Sequence, residues 1–549
     1  MRPGFLFFLM PLACAAQSGL APEDLCSIEG QVVDAANGEP VRKATLVLFH
    51  TDVNPAAGNP LFNYSTTSDA TGKFAMKDIE PGKYRLTVNR TGFVSTEYGA
   101  HGPGRPGTML SLNRAQGLKD LVFRLTPHGV VAGRVVDQDG DPVAGIFVQL
   151  LRYRYVQGGK QIAATGGPAT TNDLGEYRRF GVAPGKYYLS VVFRGGAVGT
   201  FDRSATPQPD EDYVPTYYPG TIDVTTAAEL TVTPGQELRS VDLTLSKTRT
   251  VRVRGRVTDS AGPGGRPVLI SLRPRRGVAG PFPDRPHPID SNGRFEIRGV
   301  APGSYFLEAR SQGGKTFRQL LEVGNGNIDD LNLTASPGMV IHGRVRIDQE
   351  TPASAGGVRV TLQSRESGAI FVDPPNTNLK QDGTFQLEEV SPDRYNVVLT
   401  GLPDSFYVKA IRSGDADVLV SGLDLVNGAG ADIEVVLSPK AGQMSGVVQN
   451  SKTQQPAPGA TVVLIPQEKE RRDQQSYYKT TTTDQAGSFT VKGLVPGTYK
   501  AFAWEDIEPS AYLDPDFVKP FESSGESVAV EESGQLSLQL TLILADSPQ

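Results

Sequence analysis

Five copies of one three-part phrase occupy this chain, and their regular spacing limits the folds it can adopt. Each copy opens with Gly-x-Val in an alternating run, continues to a turn that ends in Gly-x-aromatic, and closes with Pro-Gly-x-Tyr. Only the fourth copy departs, with Asp393 in place of the closing glycine. From opening glycine to closing tyrosine the copies span 54, 54, 50, 52 and 53 residues, at Gly30 to Tyr84, Gly133 to Tyr187, Gly255 to Tyr305, Gly343 to Tyr395 and Gly446 to Tyr499. Repetition of this kind predicts a tandem of small domains, with little room for a separate catalytic domain.

Within each copy the pattern is that of short β-strands. Residues 28–33 alternate between the two faces of a strand, residues 37–40 supply turn chemistry, and residues 45–49 are rich in β-branched and aromatic side chains. The chain has no long segment of helical period. We therefore predict an all-β protein of five tandem antiparallel β-sandwich domains, prealbumin-like or Ig-like, with about seven strands each.

The turn in the middle of each copy carries an acidic residue ahead of its glycine. We assign this residue to Asp69, Asp173, Asp290, Asp382 and Asp484. The expected domain boundaries are 1–17 for a signal peptide, 22–126 for repeat 1, 127–247 for repeat 2, 248–336 for repeat 3, 337–438 for repeat 4 and 439–546 for repeat 5. Because 8 to 10 residues separate a closing leucine from the next opening glycine, we expect a string of domains with limited freedom.

The N-terminus has the pattern of a secretory signal. Arg2 supplies a positive charge, residues 5–12 form a short apolar run, and Ala13-Cys14-Ala15 offers small residues for cleavage. No later segment is long and apolar enough to span a membrane. We expect a secreted, periplasmic or outer-membrane-associated protein, with lipidation at Cys14 as an alternative to simple cleavage. Cys26 would then be the only cysteine left, so no intrachain disulfide is expected.

Charge argues against a general nucleic-acid binder, because the net charge is −6. Its distribution is uneven: residues 249–310 hold twelve Arg against five acidic residues, and residues 504–549 hold ten acidic residues against one Lys. The simplest interpretation is a pair of solvated faces. The alternative is a surface on repeat 3 that docks an anionic partner.

The complete phrase resembles the carboxypeptidase regulatory-like domain. Repeat 1 fits best, through residues 30–34, 38–41, 69–74 and 81–84, and repeat 2 fits well, whereas repeat 4 is the most divergent. The resemblance implies a fold related to transthyretin, the Cna B-type repeats and starch-binding-like domains. It also implies an accessory module of the kind found in multi-repeat secreted bacterial proteins, and the fold does not settle the function.

No enzyme chemistry is predicted, and we expect no cofactor and no metal. None of the five histidines has a carboxylate at the spacing that a zinc peptidase needs. No Gly-x-Ser-x-Gly motif is present for a nucleophilic serine. Residues 137–141 resemble the start of a calcium loop but lack its downstream glutamate, so we predict a hairpin turn.

Aromatic residues in the variable inserts are the candidate binding residues. Tyr213, Tyr217 and Tyr218 lie in a Pro-rich segment of repeat 2, and Trp504 and Tyr512 lie beside carboxylates in repeat 5. Flat rings near carboxylates are suited to stacking on sugars. The alternative is that these rings pack at the ends of the sandwiches or between neighbouring domains.

These observations lead to one functional expectation with alternatives. We expect a non-enzymatic binding or scaffold protein of the cell envelope that contacts a polysaccharide or another envelope protein, with carbohydrate binding as its specific form. An accessory module for a separately encoded envelope enzyme or transporter is the alternative, and the regulatory part of a carboxypeptidase is a remote one. The ligand and the oligomeric state are left open by the sequence.

Overall fold

The computed structural model describes residues 21–51, 63–157, 159–192, 211–245, 247–259, 267–274, 287–290, 292–311, 316–335, 338–348, 357–365, 374–428 and 430–545. The predicted signal peptide and Cys14 lie outside these residues. No helix within them is long and apolar enough to cross a membrane.

Short strands make up most of the described chain. Repeat 1 contains β1 (Cys26–Asp34), β2 (Thr45–His50), β3 (Asn63–Thr67), β4 (Lys73–Ile79), β5 (Gly82–Asn89), β6 (Thr96–Glu97), β7 (Leu110–Leu112) and β8 (Gly117–Leu125). Repeat 2 contains β9 (Gly129–Val136), β10 (Phe147–Val156), β11 (Gly159–Ala164), β12 (Ala169–Thr170), β13 (Glu176–Val182), β14 (Gly185–Val192), β15 (Glu211–Tyr213), β16 (Thr216–Tyr217), β17 (Leu230–Val232), β18 (Glu237–Leu238) and β19 (Leu243–Thr244). Strand β20 (Lys247–Arg249) spans the expected boundary with repeat 3 and pairs with β15.

The three later repeats follow the same plan. Repeat 3 contains β21 (Val251–Asp259), β22 (Pro267–Pro274), β23 (His287–Pro288), β24 (Arg294–Val300), β25 (Gly303–Ser311), β26 (Thr316–Val323) and β27 (Ile328–Ala335). Repeat 4 contains β28 (Met339–Ile347), β29 (Arg359–Ser364), β30 (Asn376–Asn378), β31 (Thr384–Val390), β32 (Arg394–Thr400), β33 (Tyr407–Ser413), β34 (Ala416–Asp417), β35 (Leu423–Asp424) and β36 (Asp432–Ser438). Repeat 5 contains β37 (Gly442–Gln449), β38 (Thr461–Pro466), β39 (Lys479–Thr482), β40 (Ser488–Leu494), β41 (Gly497–Trp504), β42 (Glu526–Val530) and β43 (Gln535–Thr541).

Helices are few and short. The α-helices are α1 (Lys469–Arg472) and α2 (Pro515–Val518), and 3₁₀ turns cover Pro22–Asp24, Val224–Thr226, Gln475–Tyr477, Ala511–Leu513 and Lys519–Ser524. Four of these seven segments, including both α-helices, lie in the two insertions of repeat 5 that follow β38 and β41, and Lys519–Ser524 continues the second of them.

Each repeat pairs its strands into two sheets. In repeat 1 one sheet has the order β4-β1-β8 and the other has the order β3-β2-β5, with β6 and β7 on the outer side of β5. The β-sandwich class is confirmed, with one refinement: the closing strand runs parallel to the opening strand, as in β1 with β8 and β37 with β43. A parallel pair needs a long crossover connection, and here the rest of the repeat provides it.

The opening glycine lies under the aromatic ring of the turn. In repeat 1, Gly30 is paired with Phe74, and a Cβ added at Gly30 would lie 2.8 Å from the Phe74 ring and against the backbone oxygen of Leu121. Gly446 has the same relation to Phe489 and Leu538 in repeat 5. Only glycine leaves room there for both the ring and the parallel strand.

The turn itself is stabilised by one side-chain oxygen. Oδ1 of Asp69 accepts hydrogen bonds from the backbone N–H groups of Thr71 (2.8 Å) and Lys73 (2.9 Å), and Gly72 has a φ of 75°. Asp290 and Asp484 form the same turn in repeats 3 and 5. This geometry requires glycine at the position that takes a positive φ.

The assignment of the turn residue in repeats 2 and 4 was wrong. Asn172, not Asp173, accepts from the backbone in repeat 2, at 3.0 Å from Leu174 N and 2.8 Å from Glu176 N. In repeat 4 the backbone position belongs to Lys380, whose N–H and C=O pair with Thr384 and Gly383, and Asp382 bonds only locally to Thr384. An amide oxygen accepts as a carboxylate oxygen does, so a rule that looks for an acid misses Asn172.

The closing tyrosine ties its own turn together in all five repeats. Its hydroxyl donates to the carbonyl four residues earlier, at 2.8 Å for Tyr84, 2.6 Å for Tyr187, 2.8 Å for Tyr305, 2.8 Å for Tyr395 and 2.9 Å for Tyr499. Burial raises the pKa of Tyr499 to about 12, so its hydroxyl keeps the proton that it donates. Asp393, the exception in repeat 4, is buried and accepts from Ser364 Oγ at 2.6 Å.

Candidate functional site

Two insertions in repeat 5 cover the outer face of its own second sheet. Val463, Ile465, Phe502 and Trp504 point away from the core of the sandwich, yet all four are buried. The cover is the segment that follows β41 and includes α2, which packs Val518 and Phe521 on these residues. Because both faces are buried, β38 and β41 read as continuous apolar runs instead of alternating.

Trp504 is the centre of this second cluster. The indole is 2% exposed, stacks on Phe502 with ring centroids 4.9 Å apart, and meets Phe521 edge to face at 5.9 Å. Its N–H group is buried without a hydrogen-bond partner among the described residues. A ring enclosed in this way matches the packing alternative considered above, not an open stacking platform.

Repeat 2 contacts this cluster with the tip of its β10–β11 hairpin. The Tyr155 ring meets Phe517 at 5.7 Å, and the Lys160 ammonium lies 4.7 Å from the centre of the Tyr155 ring. At the same tip the Gln157 amide donates to the backbone oxygen of Arg472. Residues of repeats 2 and 5 therefore share one aromatic cluster, which we call the aromatic seam.

The candidate binding residues fall in different surroundings. Trp504 and Tyr512 belong to the aromatic seam, and burial raises the pKa of the Tyr512 hydroxyl. Tyr217 packs on a small cluster around Leu151 on the outer face of the repeat 2 sheet. Tyr218 packs on the core of repeat 2, as does Tyr213, whose ring also lies 5.2 Å from the Lys247 ammonium. The five rings therefore do not form one cleft.

Repeat 1 meets repeat 5 through backbone groups of β7. The amide side chain of Gln485 accepts from Ser111 N at 3.0 Å and donates to Ser111 O at 2.6 Å, as a neighbouring strand would. Asp484 accepts from Ser111 Oγ at 3.1 Å, and the backbones of Met109 and Asp484 form a parallel bridge. The turn that closes repeat 5 thus also caps the edge of repeat 1.

Charged groups add to the contact between repeats 1 and 5. Arg105 Nε lies 2.6 Å from Asp506 Oδ1, with an Arg105 side chain that is 16% exposed. Arg85 bonds to Glu97 at 2.7 Å within repeat 1 and to Thr482 Oγ1 at 3.2 Å in repeat 5. Partial burial of these pairs makes them stronger than exposed surface pairs.

Repeat 4 meets repeat 5 on another side. Gln474 Nε2 donates to the backbone oxygen of Leu419 at 3.0 Å, and the Tyr407 hydroxyl donates to Glu532 at 2.9 Å. Hydrogen bonds from Tyr407 and Lys440 hold the pKa of Glu532 below its usual value. Repeat 5 therefore contacts repeats 1, 2 and 4, so the chain folds back on itself instead of forming the extended string that the short linkers suggested.

Repeat 3 has a shallow depression of about 760 Å³ over its first sheet. Its arginines are paired with acids, Arg254 with Glu296 at 2.6 Å and Arg252 with Asp329 at 2.8 Å. This pairing favours the solvated-face interpretation of the described part of the basic repeat.

Two smaller features complete the search for chemistry. Residues 137–141 form the expected hairpin turn, in which Asp137 Oδ1 accepts from the backbone of Asp139 and Asp141. Cys26 lies buried in β1, where its thiol donates to Asn113 O at 3.0 Å. Within the ranges that the structure describes, no three His, Cys, Asp or Glu side chains cluster to hold a metal.

Solved structures similar to this chain include three pilins. GBS52, the minor pilin of the gram-positive pathogen Streptococcus agalactiae, is 13% identical over 41% of this chain and 96% of its own, with a TM-score of 0.24. BcpA, the major pilin subunit of Bacillus cereus, is 12% identical over 53% and 99%, with a TM-score of 0.14. The shaft pilin spaA of Lactobacillus rhamnosus GG is 8% identical over 41% and 98%, with a TM-score of 0.19.

Among curated proteins, none matches the chain. Residues 27–113 and 443–510 match the family model of the carboxypeptidase regulatory-like domain. These segments lie in repeats 1 and 5, the two whose turn and edge meet at Ser111 and Gln485. The resemblance given by the motifs is therefore confirmed, and the chain carries carboxypeptidase regulatory-like domains in two regions.

Proposed function

We propose that the protein is a non-enzymatic scaffold of the cell envelope or of the secreted fraction, in which repeat 5 holds repeats 1, 2 and 4 in a closed arrangement. The observation that carries this proposal is the set of contacts that repeat 5 makes with three other repeats. In this role the protein spaces and presents surfaces to a polysaccharide or to another envelope protein.

Physical chemistry supports a structural role for these contacts. The aromatic seam buries large rings, which contribute strongly to interface stability. The Gln485 amide satisfies both backbone groups of Ser111, which would otherwise lie at an open sheet edge. Contacts of both kinds fix the orientation of the repeats as well as their proximity.

The test is to open the contact between repeats 1 and 5 and measure the overall dimensions. Gln485→Ala combined with Arg105→Ala removes the two polar links, and we expect a larger radius of gyration in small-angle X-ray scattering. Gln539→Ala, which removes a side-chain bond to Gln449 inside repeat 5, is the matched control and should leave the radius unchanged. An unchanged radius in the double variant would contradict the closed arrangement.

Carbohydrate binding is the second candidate function. It is favoured by the outer face of the repeat 2 sheet, where Tyr153 is 40% exposed and meets Tyr188 edge to face at 5.5 Å, near Tyr217. A glycan array with the full chain, with calcium and with chelator, tests it. Binding that Tyr217→Ala or Tyr218→Ala abolishes while the melting temperature is kept would support this function, and loss of binding only together with unfolding would count against it.

The accessory-module alternative makes a different prediction. A protein that serves a separately encoded envelope enzyme or transporter should be recovered with that partner from native envelope. Recovery of the chain alone under mild extraction would contradict it. The same experiment covers the remote alternative, since a carboxypeptidase partner would be retained with the chain.

A further inference from the structure

The second sheet of each repeat ends in a different edge. In repeat 1 the two short strands β6 and β7 share the outer side of β5. In repeat 3 a single eight-residue strand, β26, takes this place and pairs with β25 without interruption from Gly303↔Val323 to Arg310↔Thr316. Repeat 3 therefore presents a long and regular edge where repeat 1 presents a broken one.

The same edge is already used for contact elsewhere in the molecule. In repeat 1, the outer side of β7 is capped by Gln485 and bridged by Asp484. In repeat 3, β26 is the last strand of its sheet, and no described strand pairs with its outer side. A regular edge without a cover is a template for pairing with another strand.

The described side chains of β26 leave this edge accessible. Gln319, Leu320 and Glu322 are exposed, and the exposed fraction of Leu320 is 41%, whereas Leu321 and Val323 face the core. The register of β26 has no bulge and its sequence has no proline, the two features that usually protect an edge. Glu322 is held on the outer face by a hydrogen bond from Ser304 Oγ at 2.5 Å.

The sequence of β26 is complementary to itself in one antiparallel register. If two copies pair with Leu320 opposite Leu320, position 318 of one copy lies opposite position 322 of the other. Position 318 is an arginine and position 322 a glutamate, so both cross-strand pairs join opposite charges around an apolar centre. A two-fold interface requires this self-complementarity.

We propose that β26 is a self-association edge, at which a second copy of this chain adds its own β26 in antiparallel orientation. The two four-stranded sheets would then form one continuous sheet across the dimer. One strand pair buries less surface than a standard interface, so the association is weak and depends on concentration. This inference is independent of the proposed scaffold function, because repeat 3 takes no part in the contacts that close the chain.

Sedimentation velocity on the full chain over a wide range of concentration tests the proposal. We expect the weight-average mass to rise from monomer toward dimer. Arg318→Glu and Glu322→Arg each place two like-charge pairs across the interface, and each should weaken association about tenfold or more. Glu526→Arg, on the corresponding edge strand β42 of repeat 5, is the control and should leave association unchanged.

Mixing the two charge variants separates an interface effect from a folding effect. An equimolar mixture of Arg318→Glu and Glu322→Arg restores both opposite-charge pairs in the heterodimer, so association should recover. A variant that is merely destabilised would not recover on mixing. A chain that stays monomeric at every concentration, or whose association ignores both charge reversals, would overturn the proposal.

Discussion

At the scale of single residues, the repeated phrase has a steric explanation that the sequence alone does not contain. The opening glycine accommodates an aromatic ring and a parallel strand at the same point. We expect Gly30→Ala to lower the free energy of unfolding of repeat 1 by about 1–3 kcal/mol, because the added methyl group meets the Phe74 ring and the Leu121 backbone.

Thermal denaturation followed by circular dichroism measures this effect. Gly167→Ala is the control, because a Cβ at Gly167 has open space within 4 Å and the backbone there is not left-handed. Equal melting temperatures for the Gly30 and Gly167 variants would contradict the steric account.

The turn residue offers a second prediction, on pH. The Thr71 hydroxyl and the amides of Lys73 and Thr71 hold the pKa of Asp69 below its ordinary value near 3.8. A depressed pKa in the folded state means that the carboxylate stabilises the turn at neutral pH and loses this effect as the pH falls through the folded pKa.

Asp69→Asn keeps the acceptor oxygen and removes the titration, as Asn172 does naturally in repeat 2. We expect hydrogen exchange of residues 69–73, corrected for intrinsic rates, to accelerate in acid in the wild type and to be much less pH-dependent in this variant. Acceleration of equal size in both would contradict the assignment.

At the scale of elements, the strands of each sandwich could be predicted and the insertions could not. Period-2 alternation and turn residues identify most of β1, β2, β4 and β5 because the pattern is local. Trp504 was recognised as unusual, but nothing near it in sequence states that α2 and Tyr155 will cover it. A ring beside carboxylates has the same local pattern whether it is open to a sugar or enclosed by an insertion.

Burial of this ring leads to a prediction that separates packing from ligand binding. Trp504→Ala removes the centre of the aromatic seam, and we expect it to cost about 3–5 kcal/mol of stability. Tyr153→Ala, at a ring that is 40% exposed, is the matched control with a small expected effect. Urea denaturation measures both, and a Trp504 variant as stable as the wild type would contradict a packing role.

At the scale of the whole molecule, the contacts that close the chain are made by residues without a sequence signature. Ser111 and Gln485 are 374 positions apart, and neither stands out from the many other Ser and Gln residues. Short linkers limit the distance between neighbouring repeats but do not determine whether the last repeat returns to the first. Five repeated units could therefore be recognised from the sequence, while their mutual arrangement depends on a few polar side chains and one aromatic cluster.

The junction between repeats 4 and 5 is expected to respond to acid. Hydrogen bonds from Tyr407 and Lys440, together with the nearby Lys409, lower the pKa of Glu532 from its ordinary value of 4.5. Asp348, bonded to Lys409 at the same junction, also has a lowered pKa. Both carboxylates therefore stabilise the junction at neutral pH, and this stabilisation is lost as the pH falls through their folded pKa values.

Limited proteolysis of the segment that joins repeats 4 and 5, at residues 438–442, measures the opening of this junction. We expect cleavage with an acid-active protease to increase as the pH falls below 4.5, and Glu532→Gln to raise cleavage already at the upper end of that range. Glu526→Gln, on the exposed side of β42, is the control, since its carboxylate has no printed partner at this junction and should leave the cleavage profile unchanged. If Glu532→Gln and the wild type gave the same profile, the Tyr407 contact would not hold the two repeats together, and the closed arrangement would depend on the aromatic seam and the Gln485 cap alone.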